Sequence, residues 1–374
     1  MGRAKHAKQN KSRKALAIVA TIIIVALAVL VFLYRDKLTF FKTESSDEMA
    51  DIISESEPFT YETGAEQFFS LMGSNLTVAS STGLQLLDSD GKTVSREVFS
   101  MTNPSVCGND STCAVFDVGG YCLRIYKDGQ FEDLDCDNEI ISVSVSKNSY
   151  YAVAACEPGY KGSVTVYNSD LAPIYKWYSG TGYILDAAVS PDGETLAVLC
   201  VEESGSLVHL FHFDSETEFA SSSLPGELAF RLSFSQDGNF CILSEDAVHF
   251  FGPKGQELSS YGFEGNFLAD YELGSEYLAI VLSKYVSGSE VTLLSFGSGG
   301  KQLGNVSLSA EPLSISSQGQ KLLVLGSSDL TLYSKNLDTL KQNHISAGFS
   351  SAVLLPKGNV LLLSSHYGER CSMS

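Results

Sequence analysis

Six histidines, eight cysteines and several clusters of acids are the residues of this chain that could do chemistry. The histidines are His6, His209, His212, His249, His344 and His366. His209 and His212 fall in one apolar run that reads as a strand. Their odd spacing places them on opposite faces, so a regular strand cannot bring both to one metal. No His-Glu-x-x-His, Gly-x-Ser-x-Gly or Gly-x-x-x-x-Gly-Lys pattern occurs, which leaves zinc peptidase, hydrolase and P-loop chemistry without a sequence basis. Asp133, Asp135, Asp137 and Glu139 alternate and would line one face of an extended segment, as a Ca²⁺ site needs several carboxylate oxygens. A calcium loop of the EF type would want Gly at 138 and Glu at 144, where the chain has Asn138 and Ser144. Asp88-Ser89-Asp90-Gly91 reads as a hairpin turn. No metal or cofactor is expected.

The cysteines pose a redox question. Cys107, Cys113, Cys122 and Cys136 fall within one stretch, and no Cys-x-x-Cys motif occurs. Cys122 and Cys136 are symmetric about Gly129, and Cys107 and Cys113 flank a Gly-Asn-Asp-Ser turn. Directly opposed strand positions have Cα separations of about 4.5–5.5 Å, close enough for a disulfide. At least one bond in this stretch is therefore a candidate. Cys156 and Cys200 share one offset behind successive turns and read as small buried hydrophobes.

These residues must be held by something, and charge shows how the chain is divided. Residues 1–14 contain six Lys or Arg and no acid, and from Arg35 onward 19 basic groups face 44 acidic ones. A body that acidic repels phosphate backbones, so nucleic acid is excluded as its ligand. Between tail and body, Ala15 to Tyr34 is uninterrupted apolar sequence, 20 residues long. At about 1.5 Å per residue a helix of that length spans a bilayer core. The cations before it put the N-terminus in the cytoplasm and the body outside, across a cell membrane crossed once. Ala26-x-Ala28 lies inside the apolar run and no cleavage site follows it, so the segment reads as a signal anchor. Residues 35–66 are acidic and Ser-rich and read as a stalk.

From residue 67 to 374 the pattern is short apolar runs broken by Gly, Asn, Asp and Ser. Turn signals end at 111, 149, 193, 238, 275, 319 and 358, in steps of 38, 44, 45, 37, 44 and 39 residues. A period near 40 with four strands per unit is the signature of a propeller. The unit beginning at Tyr183 shows it best: ILDAAVS, turn, ETLAVLCV, gap, SLVHLFHF, turn, EFASSSL. The expected architecture is an all-β, seven-bladed β-propeller, with eight blades as the alternative, preceded by one transmembrane helix. Seven blades follow from closing the ring with C-terminal strands placed in the first blade.

The hairpin Ser190 to Val198, SPDGETLAV, is similar to the repeat of bacterial WD-like and TolB-type propellers. The layout of basic tail, anchor, acidic stalk and propeller resembles an uncharacterised family of membrane-anchored bacterial WD-like proteins. The Trp-Asp dipeptide and Gly-His pair of true WD repeats are absent. Propeller dehydrogenases that dock quinones use repeated tryptophans, and this chain has one, Trp177.

The expected function is a non-enzymatic platform: an extracytoplasmic propeller that binds a protein or cell-envelope partner. Propeller loops are the natural binding surface. Three loops that join second to third strands stand out: 160–163 with Tyr160 and Lys161, 201–206 with Glu202 and Glu203, and 284–289 with Lys284 and Tyr285. The alternative is a ligand sensor or hydrolase-like enzyme with its site in the central channel, where Asp186, Arg231 and Asp270 lie at similar depth on first strands.

Overall fold

A computed structural model describes residues 57–61 and 67–373. The expected membrane segment Ala15–Tyr34, the basic tail and most of the stalk lie outside the described residues. Among the described residues, no helix is long and apolar enough to cross a membrane.

The described residues form eight four-stranded antiparallel sheets. Seven sheets take their strands in chain order, and their first strands are β2 (Gln67–Met72), β6 (Pro104–Gly108), β10 (Ile140–Val145), β14 (Tyr183–Val189), β18 (Ala229–Phe234), β22 (Phe267–Leu273) and β26 (Ser314–Gln318). The eighth joins β30 (Ser351–Leu354), β31 (Asn359–Leu363) and β32 (Tyr367–Ser372) to β1 (Phe59–Thr60), which pairs with β32 through Phe59↔Gly368 and Thr60↔Tyr367. First strands of successive blades pack side by side and surround the central channel.

The blade count is therefore eight, and the seven-blade expectation is corrected. Gln67–Met72 pairs fully with β3 (Asn75–Ser80) through a two-residue turn at Gly73-Ser74, so the first blade already has four strands. The C-terminal strands must then build a blade of their own. Closure is made by Phe59–Thr60, which the acidic composition had assigned to the stalk. Two strand residues flanked by acids carry too little periodicity to stand out. Their hold comes from packing: the Phe59 ring is buried against Gly91 and Gly368, and a Cβ on either glycine would lie 2.1 Å or 2.5 Å from it. Tyr61 donates its hydroxyl to the carbonyl of Ser364, and Arg370 pairs with Asp90 across the same seam.

Burial follows position in the blade. The second strands β15 (Thr195–Glu202) and β23 (Tyr277–Ser283) are buried almost throughout, because neighbouring blades cover both of their faces. The fourth strands alternate, as in β13 (Pro173–Ser179), whose outer face meets solvent. Ser190-Pro191-Asp192-Gly193 turns with Gly193 at φ +76°, and the Ser190 hydroxyl accepts the Thr195 N–H at 2.9 Å. Ser235-Gln236-Asp237-Gly238 repeats the geometry with Gly238 at φ +83° and Ser235 donating to Asp237 at 2.8 Å.

All eight cysteines are free thiols. The expected disulfides fail by one residue of register. Cys122 lies opposite Asp135, and Cys107 lies opposite Ala114. A one-residue slip sends side chains to opposite faces of the sheet. Cys122 packs between the first two blades while Cys136 packs toward the third. Cys200 is a buried packing residue as expected, whereas Cys156 lies one position beyond the equivalent of Cys200 and is exposed. Burial lifts the Cys200 thiol to about 12 and the Cys113 thiol to about 11. Alkylation without reductant should therefore modify Cys156 first in the native protein, with all eight reacting only after denaturation. Fewer than eight adducts after denaturation would contradict the register.

Candidate functional site

Antiparallel order gives the propeller two unlike faces. Turns between first and second strands, and between third and fourth, lie on the turn face. The second-to-third loops and the passages from blade to blade lie on the crossover face. The central channel holds a cavity of about 590 Å³ whose lining includes the turn-face ends of first strands and their turns. Lys147, Arg231, Asp110, Asp186, Glu272 and Glu276 are its charged residues.

The channel's polar residues come from a repeated device. In four consecutive blades the first strand bulges at one place, and the residues after the bulge are Ser142, Asp186, Arg231 and Asp270. The extra residue re-aims the side chain that follows it. Asp186 and Arg231 thus meet, with Nη1 of Arg231 3.8 Å from Oδ2 of Asp186. Asp270 sits at the equivalent position in blade six and is half-buried, outside the cavity lining.

Most of these groups already have work in the fold. Asp186 accepts the N–H of Ala187 and, across the blade boundary, the N–H of Leu232, both at 3.0 Å. Asp270 accepts the N–H of Tyr271 at 2.8 Å and that of Ile315 in the next blade. Glu272 accepts the Ser317 N–H at 2.9 Å and its hydroxyl at 2.7 Å. Ser314 and Ser316 continue the pattern by accepting Ala352 and Leu354 N–H groups. First strands have one edge with no partner strand in their own sheet, and side chains from the preceding blade satisfy its N–H groups. Burial raises the carboxyl pKa of Asp186, Asp270 and Glu272, against the opposing effect of these bonds.

A second polar cluster joins blades four and five. The two ring nitrogens of His249 face Glu227 at 2.9 Å and Glu257 at 3.0 Å, and Ser244 donates to Glu227 at 2.6 Å. Burial pushes the Glu227 carboxyl up, but the bonds from Ser244 and His249 and the imidazole's charge outweigh it and hold it below its ordinary value. A carboxylate so held stabilises the fold above its unfolded value, near 4.5, and loses that contribution as pH falls through the folded value. Glu227→Gln should therefore flatten the acid limb of a urea-stability profile below about pH 4.5. An unchanged slope would contradict this linkage. His209 and His212 diverge as expected: His209 pairs with Glu218, and His212 stacks on Phe219. Among the described residues no cluster of three His, Cys, Asp or Glu could hold a metal. Asp133 is instead committed to Arg124 at 3.1 Å.

The crossover face is different in kind. Tyr160 and Lys161 lie there between the second and third strands of blade three. Tyr160 packs on Tyr178 with ring centroids 4.8 Å apart, and the Lys161 ammonium sits 4.4 Å over the ring of Tyr183. Glu202 accepts the Thr181 hydroxyl at 2.9 Å, beside Tyr183. Glu202 lies at the end of a strand, and only Glu203 and Ser204 form the tight turn before β16 (Gly205–His212). Lys284 pairs with Glu290 at 2.6 Å and lies with Tyr285 on blade six, apart from the first group. The structure thus gathers Tyr160, Lys161 and Glu202 around one seam and leaves Lys284 and Tyr285 separate.

Several residues of this face escaped the sequence reading. Tyr183, Leu228 and Phe267 stand at the crossover-face start of three successive first strands, 56%, 45% and 50% exposed. Phe230, Tyr178 and Leu313 extend the same surface. The available signal was the recurrence of Tyr183 and Leu228 ten residues before a turn glycine, but apolar residues leading into a strand read as core.

A model described as a family of unknown function (DUF5711) matches residues 49–362. The chain belongs to the DUF5711 family. Solved structures resemble the DUF5711 propeller in fold. The C-terminal WD40 domain of Sif2 aligns at TM-score 0.61 and 10% identity, over 87% of this chain and 99% of that one. BamB from Moraxella catarrhalis aligns at TM-score 0.53 and 8% identity, over 84% and 100%. The dihydro-heme d1 dehydrogenase NirN, solved in complex with DHE, aligns at 0.55 and 14% identity, over 77% and 67%. Among curated proteins no significant match is found. The DUF5711 chain is thus similar in fold to WD40 and BamB propellers and to an enzyme alike, so its function must be argued from its own surfaces.

Proposed function

We propose that this DUF5711 protein is a single-pass membrane protein whose extracytoplasmic propeller is a non-enzymatic platform for a protein or envelope partner. The observation that carries the reading is the crossover face, where exposed tyrosines and phenylalanines collect around blades three to six. Large exposed apolar side chains gathered on one face mark an interaction surface. The recurring turns of the opposite face are spent on architecture: Asn109 and Asn148 each donate to the next blade's turn, at 2.8 Å and 2.6 Å.

The sequence of Ala15–Tyr34 and its flanking charges supports the topology. Protease added to intact cells whose outer surface is accessible should remove the propeller. A full-length chain that survives would overturn the orientation. Shortening the loop at Tyr160-Lys161 should abolish partner binding while the propeller stays folded; retained binding would remove this face from the account.

The second reading is a small-ligand site in the channel, favoured by a cavity of about 590 Å³ that holds Lys147 and Arg231 beside four carboxylates. Ligand binding there should raise the melting temperature, and Arg231→Ala should abolish the rise.

A further inference from the structure

The apolar side chains of the crossover face sit in a field of one sign. Among the described residues, the loops of this face carry acids in most blades, including Asp137, Glu157, Glu203, Asp246, Glu264 and Glu311. Their cations are Lys161 and Lys284. Lys284 is neutralised by Glu290 within its own loop, and Lys161 rests on the face and hydroxyl of Tyr183. The turn face also carries acids, but its turns interleave them with Lys92, Lys147, Lys254, Lys301, Lys335 and Lys357. The two faces thus differ in both properties at once: one gathers most of the exposed aromatic side chains in a nearly pure negative field, while the other carries fewer, such as Phe219, among mixed charges.

We infer that the crossover face binds a cationic peptide segment that also carries large apolar side chains. This deepens the platform reading and rests on it. Tyr160, Tyr178, Tyr183, Leu228, Phe230 and Phe267 supply the apolar floor, reaching from blade three to blade six. The carboxylates around them attract Lys or Arg of the partner, set its orientation and reject acidic competitors. Aromatic side chains serve both halves of such a ligand, because their faces accept apolar groups and cations alike. Lys161 over Tyr183 already displays that second contact within the chain. Membranes with anionic headgroups and acidic glycans carry the wrong charge for this face.

The test uses the full chain in phosphatidylcholine nanodiscs and three fluorescent peptides of equal length. One alternates Lys with Leu and Trp, one replaces the apolar residues by Ser, and one replaces Lys by Glu. After subtraction of empty discs, the first should bind at least about tenfold more tightly than either other. Tyr183→Ser with Phe267→Ser should weaken it by about fivefold or more. Val94→Ser on the outer rim should leave it unchanged. Equal binding of the Lys-Ser peptide would reduce the effect to generic attraction and overturn the inference. Insensitivity to the Tyr183 and Phe267 changes, or no binding by any peptide, would overturn it too. If cross-linking from Tyr183 still traps a partner in cells, the platform survives that failure; if cross-linking also fails, both fall.

Discussion

Phe59→Ala in the full chain should cost about 3–5 kcal/mol of stability, the range for emptying an aromatic core site. The residue lies outside every repeat, yet its ring fills the slot between Gly91 of the first blade and Gly368 of the eighth. Its removal leaves a cavity at the seam where the first and last described strands pair. It also loosens β1, the fourth strand of the last blade, and exposes the β32 edge. The loss is read as a lower midpoint in urea, with the slope unchanged if the ring stays closed. Gly368→Ala tests the same slot from the other side, because its new Cβ would stand 2.5 Å from the Phe59 ring. Both substitutions should destabilise, and combining them should cost less than the two effects added, since the smaller side chain makes room for the methyl. Two neutral substitutions would contradict closure by this strand.

Asp186→Ala has the second largest expected effect, about 2 kcal/mol, because it strands the buried N–H groups of Ala187 and Leu232. Asp186→Asn keeps an acceptor oxygen and should cost less. The pair also separates by pH. Burial raises the Asp186 carboxyl above its ordinary 3.8, with Arg231 and the two N–H groups opposing. Between the unfolded and folded values the native chain holds the extra proton, so this group's contribution to stability falls as pH rises through that window. Asp186→Asn carries no such slope. Its stability relative to the parent should climb as pH rises above about 4, and a constant difference would contradict a raised carboxyl.

The fold was legible because each blade needs the same punctuation. A turn glycine at positive φ between two apolar runs recurs in five of the eight turns that join a first strand to a second, and Gly193 and Gly238 do the same job 45 residues apart. The blade number was not legible, since it hinged on Phe59–Thr60, a strand too short to announce itself. Register was legible only to within one residue, which was enough to find the Asp128-Gly129 hairpin and too coarse to tell that Asp135, and not Cys136, lies opposite Cys122. The loops at Tyr160 and Tyr285 were found from their length. Tyr183, Leu228 and Phe267 were not, because only the stacking of blades in space reveals which apolar residue at a strand's start stays outside.

The same distinction governs the channel. Asp186, Arg231 and Asp270 were correctly placed at one depth, and their shared cause is a bulge repeated in successive first strands. What spacing cannot show is where their hydrogen bonds go. Asp186 and Asp270 bond to the backbone of the next blade, which makes them fasteners of the ring.

The measurement that tests the central claim most directly is site-specific photo-cross-linking in intact cells. A photoreactive residue replaces exposed Tyr183 on the crossover face in one variant and exposed Lys254 on the turn face in another. The account predicts one reproducible adduct from position 183 and none of that mass from 254. The same adduct from 254 alone, or from both positions equally, would contradict docking through the crossover face.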